Sequence, residues 1–124
     1  MLLSEIDIEG QWGLALIADA DATDALPDFG ETNVTATRSS IVIAVIHPQE
    51  GTAHVTVSLD DGVREQHHVY SGELDVASGS LVLCTADFAI RAEAPVEPGT
   101  YRCDVYTDRI SNAERVSVVI ADAR

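Results

Sequence analysis

Apolar and polar residues alternate with a period of two along most of this chain, and runs at helical spacing are nearly absent. From Leu3 to Ile8, Ile6 and Ile8 fall on one face while Glu5, Asp7 and Glu9 fall on the other, so the spacing predicts a strand whose outer side is all carboxylate. From Gln11 to Ala18 both faces are apolar, with Trp12, Leu14 and Leu16 set against Gly13, Ala15 and Ile17, which predicts a central strand covered on both sides. Thr35 to His47 contains the most apolar run, Ile41 to Ile46, and must be buried. Pro48 to Gly51 supplies a turn before His54 to Leu59, where Val55, Val57 and Leu59 alternate with His54, Thr56 and Ser58, and the two runs are expected to form a hairpin.

Asp60-Asp61-Gly62 is a tight-turn signal, because Asp and Gly tolerate positive φ. It leads into Val63 to Tyr70, polar on both faces, as suits an edge or a binding surface. Leu74 to Val76 and Leu81 to Cys84 are expected to form another hairpin around Ser78-Gly79-Ser80. Phe88 to Ala94, Thr100 to Thr107 and Glu114 to Ala121 complete the series, with the corner Pro95-Val96-Glu97-Pro98-Gly99 between the first two. Eight to nine short strands of even spacing predict an all-β fold, an antiparallel β-sandwich. No linker composition divides residues 1–124, so one domain is expected.

Charge changes the functional picture. The chain carries 21 acidic residues against seven basic ones, a net charge of −14, and every basic residue is Arg. Such a field repels nucleic acid and anionic lipid and favours basic partners. The first basic residue is Arg38, so the amino-terminal third is purely anionic. Within it, the polar segment Asp19 to Asn33 reads as a long surface loop, and Asp19, Asp21, Asp24, Asp28 and Glu31 are the candidate partner-binding residues. No apolar run reaches membrane-spanning length, and Met1 to Glu5 lacks the basic start and long apolar stretch of a signal peptide, so a cytoplasmic protein is expected. Cys84 and Cys103 lie on predicted strands that could be neighbours in one sheet; two buried free thiols are the expectation in that compartment.

Catalytic patterns are missing. Asp19 to Asp24 clusters oxygen ligands, but Asp24 stands where a helix-loop-helix calcium loop needs Gly, and Gly30 where it needs Glu. No Gly-x-Ser-x-Gly elbow and no phosphate-binding Gly-rich loop occurs. His47 and His54 flank a predicted hairpin turn and could face each other with Glu50 as a third ligand, whereas His67 and His68 are consecutive on a strand and point apart. Hairpin-mouth histidines need no metal, so no cofactor is assigned.

The segment from Phe88 to Thr107, closing with Ala113 to Ile120, resembles the end of small bacterial β-sandwich proteins related to the competence nuclease inhibitor. The matching positions are Pro98, Gly99, Tyr101, Arg102, Val105 and Tyr106, a Pro-Gly corner leading into a Tyr-Arg-x-x-Val-Tyr strand, and the match covers about a quarter of the chain. The resemblance implies a protein without catalytic activity that neutralises a basic protein, a nuclease or another toxin, in the manner of an immunity protein or inhibitor. Two other classes stay open: a self-associating module, such as a homodimer joined through a sheet face or edge, and a small metal-dependent enzyme centred on His47 and His54.

Overall fold

The apolar halves of these alternating segments meet between two five-stranded sheets. The computed structural model describes residues 2–8, 14–21, 34–46, 50–62, 65–85, 91–110 and 113–122, and among them all regular structure is strand. The strands are β1 (Leu2–Ile8), β2 (Leu14–Asp19), β3 (Val34–Ala36), β4 (Ser40–Ala44), β5 (Ala53–Leu59), β6 (His67–Val76), β7 (Ser80–Thr85), β8 (Arg91–Pro95), β9 (Gly99–Thr107) and β10 (Arg115–Asp122). The first sheet has the order β1-β5-β10-β9-β6 and the second β3-β4-β2-β7-β8. The all-β sandwich is therefore as expected, with ten strands among the described residues rather than eight to nine. One neighbouring pair, β5 and β10, is parallel.

Alternation assigned the faces well. Ile6 and Ile8, Val55 and Val57, Val116, Val118 and Ile120, Cys103 and Val105, and Leu74 and Val76 point inward from the first sheet. They meet Ala15 and Ile17, Ile41 and Ile43, Leu81 and Leu83, and Ala94 from the second. Each such Val, Leu or Ile withdrawn from water contributes about 1.5–3 kcal/mol, so this layer dominates the favourable side of folding.

The doubly covered character of Gln11 to Ala18 holds where the chain is described, because β2 is the central strand of the second sheet. Leu16 and Ala18 point away from the core and join Val42, Val82 and Cys84 in a second buried apolar cluster, flanked by Leu14. The second sheet thus hides apolar residues on both faces.

The expected hairpins do not form. The run ending at β4 stays in the second sheet, whereas β5 lies in the first between β1 and β10. Val45 and Ile46, which follow β4, are buried, and the Ile46 N–H donates to the Ala113 carbonyl at 2.9 Å, which turns the chain toward the first sheet. Likewise β6 pairs with β9 and β7 pairs with β2 and β8, so Ala77-Ser78-Gly79 is a corner between sheets. Both sheets bury one face against the same core, and alternation alone states the face without the neighbour. Gly79 takes φ = 79° at this corner, a conformation that favours glycine.

β6 runs unbroken through Ser71 and Gly72, where the sequence suggested two strands. The Tyr70 side chain folds over Gly72, and a Cβ there would collide with the Tyr70 hydroxyl. The expectation of an edge strand in this region is met: β6 is the outer strand of the first sheet.

Candidate binding surface

The outward face of the first sheet is polar, and register sets which of its side chains meet. Asp7, His54 and Arg115 form one row across β1, β5 and β10, with Glu5 and Thr56 in the next. His54 Nδ1 lies 2.6 Å from an Asp7 carboxylate oxygen and Nε2 lies 3.2 Å from Glu5. The hydrogen bond to Asp7, with the negative charge of Asp7 and Glu5, holds the imidazole pKa above its ordinary value against a smaller desolvation effect. Arg115 lies 3.6 Å from Glu65. Glu5, His54, Thr56, Glu65 and Arg115, with Leu2, Ser58, Asp61 and Gly62, line an open depression of about 700 Å³.

The far side of the same face repeats the pattern. His68 stacks on Tyr106 with ring centroids 4.8 Å apart, and its Nε2 lies 3.0 Å from Asp104. Arg38, in the β3–β4 turn of the second sheet, reaches the β6 edge of the first. It donates to both Asp75 carboxylate oxygens, at 3.0 and 3.2 Å, and to Glu73 at 3.2 Å. The Asp75 N–H donates to the Arg38 carbonyl at 2.6 Å, closing the clamp through the main chain. The Arg38 fork and the Thr100 hydroxyl together hold the Asp75 carboxyl below the usual carboxylate range. Arg102 and Arg109 also lie against carboxylates, those of Asp104 and Glu114. Among the described residues Arg38, Arg102, Arg109 and Arg115 are thus each engaged with carboxylates of the fold, while over the whole sequence carboxylates outnumber arginines three to one, 21 to 7.

The predicted acidic residues fall in different environments. Asp19 ends β2 buried, only 5% exposed, and its carboxylate accepts the Ser78 N–H at 3.1 Å and the Ser78 hydroxyl. It ties the end of the second sheet to the corner after β6. Asp21 lies exposed in the turn that follows β2. Asp24, Asp28 and Glu31 lie outside the described residues, as does His47. With β4 and β5 in different sheets, the hairpin that would have set His47 opposite His54 does not exist, and both ring nitrogens of His54 face carboxylates of β1. Among the described residues no group of three or more His, Cys, Asp or Glu side chains is arranged to hold a metal ion.

Cys84 and Cys103 are buried and not joined in a disulfide, and they are not sheet neighbours: Cys84 is on β7 of the second sheet and Cys103 on β9 of the first. Burial, with a smaller contribution from Asp104, pushes the Cys103 thiol pKa up to about 12, which leaves it an unreactive core residue. Sequence reasoning missed the Arg38 clamp and the Asp7–His54–Glu5 contact, which depend on strand order. It could have found Asp19, which continues the inward series Ala15, Ile17 by two more residues.

At the end of the sandwich, the corner after β8 is fixed by local bonds. The Val96 N–H donates to the Gly79 carbonyl at 3.0 Å and the Tyr101 hydroxyl to the Glu97 carbonyl at 2.5 Å. Pro98 and Gly99 of the sequence motif form this corner, and Tyr101, Arg102, Val105 and Tyr106 lie on β9, with Tyr101 and Val105 inward.

No protein-family model and no curated protein sequence matches the chain. Solved structures do. Over 99% of this chain and 98% of its own, the fold is shared with ComJ, inhibitor of the DNA degrading activity of NucA, from Bacillus subtilis, at a TM-score of 0.76 and 12% identity. It is also shared with the product of crocagin biosynthetic gene J, at a TM-score of 0.66 and 18% identity, over 98% of this chain and 97% of that one. The chain therefore has the fold of the competence nuclease inhibitor from end to end, well beyond the carboxy-terminal quarter in which the sequence resemblance was visible.

Proposed function

We propose that this protein is a non-catalytic inhibitor or immunity protein that binds a basic protein partner, a nuclease or comparable toxin. The observation that carries this is the full-length likeness in fold to an inhibitor of a DNA-degrading nuclease. Charge supports it. A nuclease that grips DNA presents a cationic cleft, and a net charge of −14 supplies the complementary field, speeding encounter as well as binding.

On this reading Asp21, Asp24, Asp28 and Glu31 belong to the acidic contact surface, together with the carboxylates of the first sheet's outer face. Asp19 instead anchors the strand end that precedes them. The protein works in the bacterial cytoplasm, without a cofactor. A self-pairing module is less well supported, because β6 carries a register shift between His68 and Tyr70 and is capped at Asp75 by Arg38, both of which blunt an edge.

The test is a plasmid-degradation assay in extract of the source cells, titrated with the purified protein. Degradation should fall at low salt and recover near half-molar salt, where the screening length drops to about 4 Å. Degradation unchanged by excess protein at low salt would exclude the proposed role.

A further inference from the structure

The outer face of the first sheet is not the only concavity. A second open pocket, also about 700 Å³, lies where β1, β5, β9 and β10 end beside the corner after β8. Leu3, Leu59, Pro95, Val96, Pro98 and Tyr101 give it an apolar lining, and Asp60, Glu97 and Asp122 stand with them. No basic residue is among the described residues that line it. The depression over β5 differs in its lining, which includes the basic side chains of His54 and Arg115.

We infer that this end pocket is the anchor site for an arginine side chain of the partner protein. This rests on the proposed basic partner and names where its cation goes. An apolar lining with carboxylates around it matches an amphipathic cation, whose methylene stem covers apolar surface while its head stays with the charges. Arginine fits better than lysine, because its planar fork can meet carboxylates bidentately and its more weakly hydrated head loses less on partial burial. Arginine anchors seated in pockets are also a frequent source of binding energy at protein interfaces.

The pocket is held ready. Its lip is fixed by the Val96–Gly79 and Tyr101–Glu97 bonds, and Leu3, Leu59 and Val96 pack against the main core from partly exposed positions. Asp60 takes φ = 68° just after β5, with its N–H donating to the Ile120 carbonyl at 2.8 Å. Little ordering is left for the moment of binding, which favours affinity.

The experiment is an NMR titration of the isotope-labelled full chain with N-acetyl-arginine amide, with N-acetyl-leucine amide as the uncharged control. Saturable shifts should concentrate at Leu3, Leu59, Val96, Glu97 and Tyr101 with the arginine probe alone. The pair Asp60→Asn and Glu97→Gln should weaken binding by about tenfold while leaving the remaining spectrum intact. Asn accepts the left-handed conformation at position 60, and the Glu97 bond to Tyr101 uses the main-chain carbonyl, so the fold should persist. The pair Glu5→Gln and Glu65→Gln removes as much charge elsewhere and should change the affinity less than twofold. Shifts spread evenly over all carboxylates, or equal losses from the two pairs, overturn the assignment. An outcome in which arginine amide binds the pocket while the extract assay shows no inhibition would refute the inhibitor role and leave the pocket standing. Inhibition that survives Asp60→Asn with Glu97→Gln at full strength would do the opposite.

Discussion

The two outward faces of the sandwich use the same alternation for opposite ends. On the first sheet, outward positions include Thr56 and the ionisable His54, Arg115, Arg102, Asp104, Glu73 and Asp75, each of the latter in an ion pair at the surface. On the second, the outward positions of its inner strands, Leu16, Ala18, Val42, Val82 and Cys84, are all buried, and exposed Glu93 on the edge strand β8 marks the rim of this apolar face. Removal from water decides the difference. The polar face is free to vary in its charges and to meet a partner, whereas the apolar one behaves as a second core.

Matching substitutions should separate the faces by the largest margin. Leu16→Asn places an amide where Leu16 is only 4% exposed, combining lost burial with an unpaired polar group, and should cost about 3–4 kcal/mol in urea unfolding. Thr56→Asn, on the wet face, should cost less than about 0.5 kcal/mol. Similar losses at both sites would mean that the faces do not differ as described.

A smaller effect is expected where the sheets are tied together. Asp19→Ala leaves the Ser78 N–H and hydroxyl without their shared acceptor and should cost about 1–3 kcal/mol by the same measurement. The same change at Asp21, in the exposed turn two residues on, should cost less than about 0.5 kcal/mol. That contrast separates an acidic residue that builds the fold from one that only contributes to its field.

The smallest effect is pH-dependent and belongs to the wet face. Asp7 and Glu5 raise the folded-state pKa of His54, so its stabilising contribution is complete below the unfolded histidine value and disappears as pH rises through the folded one. His54→Gln should therefore lower the unfolding midpoint slightly at pH 5.5 and leave it unchanged at pH 8.5. With the histidine side chain 43% exposed, solvent screening limits the acid-side difference to a few tenths of a kcal/mol, about the size of an exposed pair. A larger loss at pH 8.5 than at pH 5.5 would contradict the assigned sign.

Much of this division was legible in the sequence. Glu5 and Asp7 opposite Ile6 and Ile8 announced a charged outer face, and the double-sided apolarity of Leu14 to Ala18 announced a covered one. The strand neighbours were not legible. His54 to Leu59 would satisfy the pattern beside β4 as well as beside β1, and only the crossing through Val45 and Ile46 decides between them. The same gap hid the contacts of the surface: Asp7 meets His54, and Arg38 meets Asp75, across sequence distances that local periodicity does not encode.

The parallel pairing of β5 with β10 bears on the timetable of folding. Four strands separate them in sequence, yet β10 joins the β1–β5 half of the first sheet to the β9–β6 half. During synthesis those halves remain two separate ribbons, each with an unpaired inner edge, until Arg115–Asp122 clears the ribosome. Closure of so long a loop is slow, and the waiting edges are what a chaperone would have to shield.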